Sequence, residues 1–404
     1  MSQLKFPPGF LWGASTASHQ VEGGTHNNWS DWETSPRRLA QLKKDGLITR
    51  YGKDNFISGV AADHYYRYEG DFRLAKKLGH TATRISIEWS RIEPREGHFD
   101  TKAIHHYKSV ISSIRNNGME PFVTLWHWTV PLWFRDKGEF QNKKNAVYFA
   151  RFAERIASEL ADVTFWITLN EPDVYTMHGY LDGTWPPQEK SLIKTLTVYR
   201  NLIYAHRLGY EKIKKANQAA RVGIAKHNIY FEAYQGRLWN VLLKKAMDWG
   251  WNCYFLNQLS GAQDFIGLNQ YFHNRINGRT NQNENLKISD MGWELYPEAV
   301  YYALRDLRKY RVPIYITENG LADGEDRQRL WFIKETLKNV HRAISEGIDV
   351  RGYLHWSLMD NFEWDKGFWP RFGLIAIDYA TQKRTPRPSA LAYREFCQDN
   401  GFEE

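Results

Sequence analysis

The sequence predicts a (β/α)8 barrel, a single α/β domain spanning residues 1–404 with long loops after several strands. Eight short apolar runs rich in β-branched and aromatic residues recur along the chain, without the in/out alternation of a half-exposed sheet. Amphipathic helical patterns lie between them, as parallel pairing requires. Neither GxGxxG nor GxxxxGK[ST] occurs, which disfavours the alternative of an open doubly wound sheet with a phosphate loop.

The strands are expected at FLWGAST (10–16), ATRISIEW (82–89), EPFVTLWHW (120–128), TFWITLNEP (164–172), RVGIAKHNIY (221–230), DFIGLNQYF (264–272), VPIYITENG (312–320) and RGYLHWSLMDN (351–361). Helical runs precede four of them: YYRYEGDFRLAKKLG before the second, TKAIHHYKSVISSIRNNG before the third, AVYFARFAERIASELAD before the fourth and RQRLWFIKETLKNVHRAISEG before the eighth. Gly79, Gly118 and Gly347 stand where a helix ends on a left-handed residue. Residues 17–58, 173–190 and 277–290 read as irregular insertions. All follow strands, on the face where a barrel builds its site.

Bulk composition narrows the function classes. Hydrophobic residues at 42% and charged residues at 25% describe an ordinary globular chain. There is no run of about 18 apolar residues to span a membrane, and MSQLKFPPGFLWG lacks a signal-peptide core, so a cytoplasmic protein without membrane partners is expected. The net charge of +8 is spread over helix-like stretches such as YEKIKKANQAAR and mixed with acids, a solvated surface rather than a nucleic-acid face. Cys253 and Cys397 form neither a disulfide framework nor a zinc spacing and read as core thiols. With no HExxH and no GxSxG, neither metal nor cofactor is expected, and His98, His105 and His106 fall on the wrong face of the barrel as surface residues.

The unusual feature is aromatic content, 15%, with tryptophans beside polar residues at strand ends: Trp126-His127-Trp128, Trp356-Ser357 and Glu363-Trp364. Flat rings among hydrogen-bonding groups suit a sugar. Polar residues gather at the same ends: Gln20 and Glu22, Arg84 and Glu88, His127, Asn170 and Glu171, Asn269 and Tyr271, Glu318, and then Trp356, Glu363 and Trp364. The C-terminal ends of barrel strands converge, so Glu171 and Glu318 become neighbours. Two facing carboxylates are what glycoside hydrolysis requires, one giving a proton to the leaving oxygen, the other attacking the anomeric carbon or activating water. Arg84 suits the task of keeping one of them ionised, and the Tyr271 hydroxyl that of orienting it.

FPPGFLWGASTASHQVEGG, RISIEWSRIEP, LWHWTVP, TLNEP, GLNQY, YITENG and HWSLMDNFEWDKGFWPRFGLIAID resemble, in order and over essentially the whole chain, the glycoside hydrolase family 1 β-glucosidases. The resemblance implies a retaining exo-β-glycosidase acting on small β-glucosides or short β-linked oligosaccharides, with β-galactosides and β-fucosides as side substrates. It assigns Glu171 to the acid/base and Glu318 to the nucleophile, with the two carboxyl groups about 5 Å apart. Gln20, His127, Trp128, Asn170, Asn269, Tyr271, Trp356, Glu363, Trp364 and Phe372 fall at substrate-binding positions, and Arg84 and Tyr271 at positions that support the nucleophile. Glu363 is expected to accept from two adjacent sugar hydroxyls.

The chain departs from the family pattern on the leaving-group side. Thr129-Val130 replaces Asp-Leu, Asp173 stands where many members have Trp, and Gln270 where Tyr is common. The alternatives are a 6-phospho-β-glycosidase, which the Glu363-Trp364 pair argues against, and a non-catalytic sugar-binding protein on the same barrel. A transglycosylase using the same intermediate stays open.

Overall fold

In the computed structural model, which describes residues 3–403, all eight expected strands form: β1 (Leu11–Ser15), β2 (Ala82–Ser86), β3 (Glu120–Trp126), β4 (Phe165–Asn170), β5 (Arg221–His227), β6 (Phe265–Asn269), β7 (Ile314–Asn319) and β8 (Val350–Trp356). They pair in sequence order, every neighbour parallel, and β8 closes onto β1. Continuous apolar runs serve here because each strand is buried on both faces, by the barrel interior and by a ring of helices.

Seven helices form that ring, α1 (His64–Lys77), α2 (Thr101–Asn116), α3 (Ala146–Glu159), α4 (Leu192–Ala216), α6 (Ala299–Leu307), α7 (Arg329–Ser345) and α8 (Pro388–Asp399), whereas α5 (Leu238–Met247), in which only Asn240 is buried, packs on the small sheet of Tyr230–Ala233 and His273–Ile276. The buried face of α2 carries Ala103, Ile104, Tyr107, Val110, Ile111 and Ile114, a helical stripe, and the Asp100 carboxylate caps its start by accepting from the amides of Lys102 and Ala103. Gly79, Gly118 and Gly347 have φ of +77°, +69° and +83°, as the helix ends demand. Residues 17–58 differ from expectation: they hold short helices at Ser18–Val21, Asn28–Glu33, Pro36–Lys44 and Leu47–Tyr51. The Asn and Ser residues that suggested loop are caps, Asn27 for the second helix and Ser35 for the third. Cys397 is buried but Cys253 is only half-buried, with its Sγ 3.0 Å from the Lys309 ammonium. His98 and His105 are exposed, whereas His106 stacks on Tyr65 with ring centres 3.6 Å apart. No helix among the described residues is long and apolar enough to cross a membrane.

Inside the barrel, Ala82, Phe122, Ile167, Ala225, Phe265, Tyr315 and Leu354 form one apolar layer. The rings of Phe122 and Phe165 stack 4.3 Å apart and close the lower end. Strand alternation then decides what faces the mouth. Two residues beyond inward Ala82 comes Arg84, two beyond Leu354 comes Trp356, and four beyond Phe265 comes Asn269. Glu318 and Asn170 break this parity, standing three residues after inward Tyr315 and Ile167. Register shifts occur between Ile316 and Glu318 on β7 and between Ile167 and Asn170 on β4. A one-residue irregularity re-aims the side chain that follows it, and here it turns both residues into the barrel mouth.

The small bore forces glycine at Gly13, where a Cβ would lie 1.9 Å from the Ala82 carbonyl oxygen. Gly13→Ala should therefore lower stability by about 1–3 kcal/mol, read as a fall in the denaturant midpoint; an unchanged midpoint would mean that β1 and β2 can separate at no cost.

Candidate active site

At the floor of the barrel mouth lies Arg84, with no solvent exposure. One guanidinium nitrogen donates to Glu318 Oε1, another to Asn170 Oδ1 at 2.7 Å, and Nε to Thr124 Oγ1 at 2.9 Å. Glu318 Oε2 accepts from the Tyr271 hydroxyl at 2.8 Å. Across the mouth, Glu171 Oε1 accepts from Asn269 Nδ2 at 2.8 Å, and the same amide reaches Asn170 Oδ1 at 3.1 Å. Asn269 is fixed in turn by Thr317, whose hydroxyl donates to its Oδ1 at 2.7 Å. The two carboxyl groups are thus held by one connected set of side chains from β2, β3, β4, β6 and β7, and the amide orientations follow from the donors around them.

Above this floor opens a cavity of ≈ 590 Å³, into which Glu171, Glu318, His127, Trp128, Tyr271, Trp356, Glu363, Trp364 and Phe372 project. Trp364 packs against Trp128 with ring centres 4.7 Å apart and lies nearly parallel to His127 at 5.8 Å. His127 Nε2 meets Asn170 Nδ2 at 3.1 Å. Gln20 Nε2 donates to Asn361 Oδ1 at 2.9 Å and to Glu363 Oε2 at 3.5 Å. Backbone strain marks the rim: Glu171, Trp128 and Trp364 have φ of +42°, +73° and +45°. Non-glycine residues in this region cost about 1–3 kcal/mol each and persist where surroundings over-determine them. Trp128 is held by its Nε1 donating to the Asn170 carbonyl at 2.9 Å.

The two carboxyls are only 5% and 4% exposed. Burial drives both upward from the ordinary carboxylate range. For Glu318 the rise is opposed by the Arg84 charge and by hydrogen bonds from Arg84 and Tyr271. Glu171 is pushed further, well above the usual value, because the charges of Glu318 and Asp173 add to its burial while only Asn269 and the more distant Arg84 oppose them. Glu363 is pushed up to about 8 by burial and by the Asp365 and Glu318 charges. Burial and Arg84 hold His127 neutral, well below the usual histidine range.

Such a pair of unlike carboxyls at the mouth of a parallel barrel, walled by tryptophan, is matched by known proteins. The family model for glycosyl hydrolase family 1 covers residues 2–237 and 232–402. The chain belongs to glycosyl hydrolase family 1. It is 31% identical to β-glucosidase A of Thermotoga maritima over all of both chains, and 30% identical to a β-galactosidase of Saccharolobus solfataricus over 98% of this chain and 96% of that one. Among solved structures, a β-glycosidase from Pyrococcus horikoshii superposes with a TM-score of 0.89 at 36% identity, covering 100% of this chain and 97% of that one. The T. maritima β-glucosidase in complex with deoxynojirimycin superposes with a TM-score of 0.90 at 30% identity, covering 99% and 100%.

Within this family 1 chain, the residues expected at the site from sequence line the cavity or its floor, except Gln20, which is fully buried behind Glu363, and Glu22 and Glu88. Glu22 instead binds Arg91 Nε at 2.9 Å and the Tyr107 hydroxyl at 2.8 Å. Glu88 accepts from Ser90 and Thr129, at 2.7 and 3.0 Å. Both brace the loops over β1 to β3, where the helix that follows β2 begins. Glu363, pushed upward by burial and by the charges beside it, is biased towards its protonated form, which would offer sugar hydroxyls a donor as well as an acceptor. Thr124, Thr317 and Asn361 were not singled out in the sequence, because a buried threonine or asparagine in a strand or turn carries no pattern of its own. Nor was the apolar side of the cavity, formed by Val174, Met177, Ile229, Phe231, Trp251 and Trp293.

Removing one member of a buried ion pair leaves the other uncompensated. Arg84→Met should destabilise the fold by about 3–5 kcal/mol, measured by denaturant unfolding; a variant as stable as the parent would show that Glu318 needs no counter-charge.

Proposed function

We propose that this family 1 chain is a retaining exo-β-glycosidase whose principal substrates are terminal β-D-glucosides, with residues 3–403 acting as one catalytic unit. The observation that carries the reading is the unequal holding of two buried carboxyls: Glu318 by a guanidinium and a phenol, Glu171 by a single amide. The first environment favours the anion, a nucleophile ready to attack; the second favours the acid. The relatives named for β-galactosidase support side activity on β-galactosides, and β-fucosides follow from the same configuration.

In the first step Glu318 attacks the anomeric carbon and Glu171 gives its proton to the departing oxygen, leaving a glycosyl ester on Glu318. Esterification removes the Glu318 charge. Since that charge is among the causes raising Glu171, its loss stabilises the Glu171 carboxylate left by the proton transfer, and this carboxylate takes a proton from water in the second step. Asn170 beside it suits the sugar 2-hydroxyl, whose hydrogen bonds tighten in the oxocarbenium-like transition state. Trp356 and Trp364 offer apolar faces, while Gln20, His127 and Glu363 offer polar edges. Asp365 lies beside Glu363, and Lys366 is already paired with Asp365 at 2.7 Å, an arrangement that favours an uncharged sugar over a 6-phosphate. The site's own carboxyls supply the acid, base and nucleophile, so no cofactor enters the proposed reaction.

The roles separate by experiment. Glu318→Gly should reduce hydrolysis of an aryl β-glucoside on the order of 10⁴-fold or more; undiminished turnover would sink the mechanism. Glu171→Ala should slow the reaction about 10²–10⁴-fold and, with azide present, yield the β-glycosyl azide, whereas an α-azide would remove Glu171 from its role. For the parent enzyme, kcat/KM should follow a bell in pH. Glu318 must be ionised, so activity falls as pH drops through its raised value; Glu171 must be protonated, so activity falls as pH rises through its still higher one. A profile rising monotonically into alkali would contradict the assignment.

A further inference from the structure

Asp173 follows Glu171 by two residues, in the first turn of the helix Pro172–Thr176, at a position where the family resemblance leads one to expect tryptophan. It is 4% exposed, and its Oδ2 lies 3.0 Å from the ammonium of Lys226, which has no exposure at all. Lys226 has the opposite parity on β5 to Ala225 and His227, so it enters the layer between barrel and helices. There it also donates to the His227 carbonyl at 2.7 Å. Neither Asp173 nor Lys226 lines the cavity. Stability does not explain such a pair, because desolvating two charges roughly cancels their attraction and apolar replacements are often as stable. Its place in the fold does: Asp173 lies in the first turn of the helix that Glu171 begins, and the Glu171 amide donates to the carbonyl of Ala225, the neighbour of Lys226, at 2.8 Å.

We propose that the Asp173–Lys226 ion pair is a positioning element for the proton on Glu171: Asp173 holds that proton on the enzyme until the leaving oxygen takes it, and Lys226 keeps Asp173 ionised. The inference rests on the reading of Glu171 as the acid/base. The titratable and polar groups around Glu171 on the cavity side are Arg84 from β2, His127 after β3, His227 from β5, Asn269 and Tyr271 at the end of β6, Glu318 from β7 and Glu363 after β8, with Lys226 of β5 outside them in the layer between barrel and helices. Asp173 itself also faces Tyr199 of α4, whose phenol is raised partly by that charge. Of the anions, Glu318 and Asp173 are the two that raise Glu171. When the Glu318 charge is lost to the ester, Asp173 is the one of these two that remains. It then keeps Glu171 basic enough to deprotonate water. Burial presses Asp173 towards its neutral form, and the Lys226 charge opposes this.

The test is the pH dependence of kcat/KM for p-nitrophenyl β-glucoside in the parent, Asp173→Asn, the charge-free Asp173→Asn/Lys226→Met and, as control, Glu171→Gln. Removing the Asp173 charge should move the alkaline limb down by about one pH unit in Asp173→Asn and by a smaller amount in the double variant, where the opposing Lys226 charge is removed as well, and should leave the acid limb in place. With 2,4-dinitrophenyl β-glucoside, whose leaving group departs without a proton, the same variants should match the parent within about twofold in kcat/KM at alkaline pH, a comparison that a merely structural defect would fail. If Asp173→Asn does not fold, the double variant, which buries no lone cation, carries the result. An alkaline limb that stays put in the folded Asp173 variants, or equal losses on both substrates, overturns the proposal while Glu171 keeps its role. An alkaline limb that survives in Glu171→Gln overturns the reading of Glu171 and the proposal with it.

Discussion

The Arg84 guanidinium, sealed from water at the centre of the barrel, is the contact on which the site depends. A buried cation is tolerated only when its hydrogen-bonding capacity is met and its charge is paired. Glu318, Asn170 and Thr124 meet those needs from three different strands. The same bonds fix what they satisfy. Glu318 is aimed, and its anion favoured against burial, because Arg84 holds one oxygen and Tyr271 the other, while Asn170 is turned so that its amide faces His127 and its carbonyl oxygen receives Arg84 and Asn269. A requirement of folding, that no buried charge go unpaired, thereby sets a requirement of chemistry, that the two carboxyls differ.

The barrel contributes by controlling parity. Its lower layer is filled by Phe122, Phe165, Phe265 and Tyr315, so the bore is closed and polar residues can accumulate only above it. Regular alternation carries Arg84, Asn269 and Trp356 into the mouth, and register shifts carry Asn170 and Glu318 there. Left-handed backbone at Glu171, Trp128 and Trp364 does similar work where strands become loops. The cost of these irregular conformations falls on residues whose direction matters to a ligand, consistent with strain stored at functional sites.

Much of this was legible in the sequence because burial leaves compositional traces. Eight apolar runs, three glycine-ended helices and the Glu171 and Glu318 motifs correspond to strands, helix ends and facing carboxyls in the structure. What was not legible depends on geometry that one-dimensional patterns do not record. Glu22 and Glu88 occupy the same strand ends as the site residues, yet nearby Arg91, Tyr107, Ser90 and Thr129 draw them into the loops. Loops 17–58 contain short helices because Asn27 and Ser35 act as caps, a use of those residues that shares its composition with irregular chain. Asp173 was visible as a departure from the family pattern, but its partner Lys226, more than fifty residues away on β5, was not, since a lone lysine in an apolar run gives no sign of which layer it enters. The upward push on Glu363 likewise follows from burial beside Asp365 and Glu318, which only the folded chain brings together.

The central claim is that the carboxylate aimed by Arg84 forms a covalent bond to the sugar. The most direct test is to react the protein with 2,4-dinitrophenyl 2-deoxy-2-fluoro-β-glucoside, which slows breakdown of the ester, and to locate the adduct by peptide mass spectrometry. The account predicts one fluoroglucosyl group per chain, on Glu318. An adduct on another residue, or inversion of configuration with no adduct at all, would contradict it.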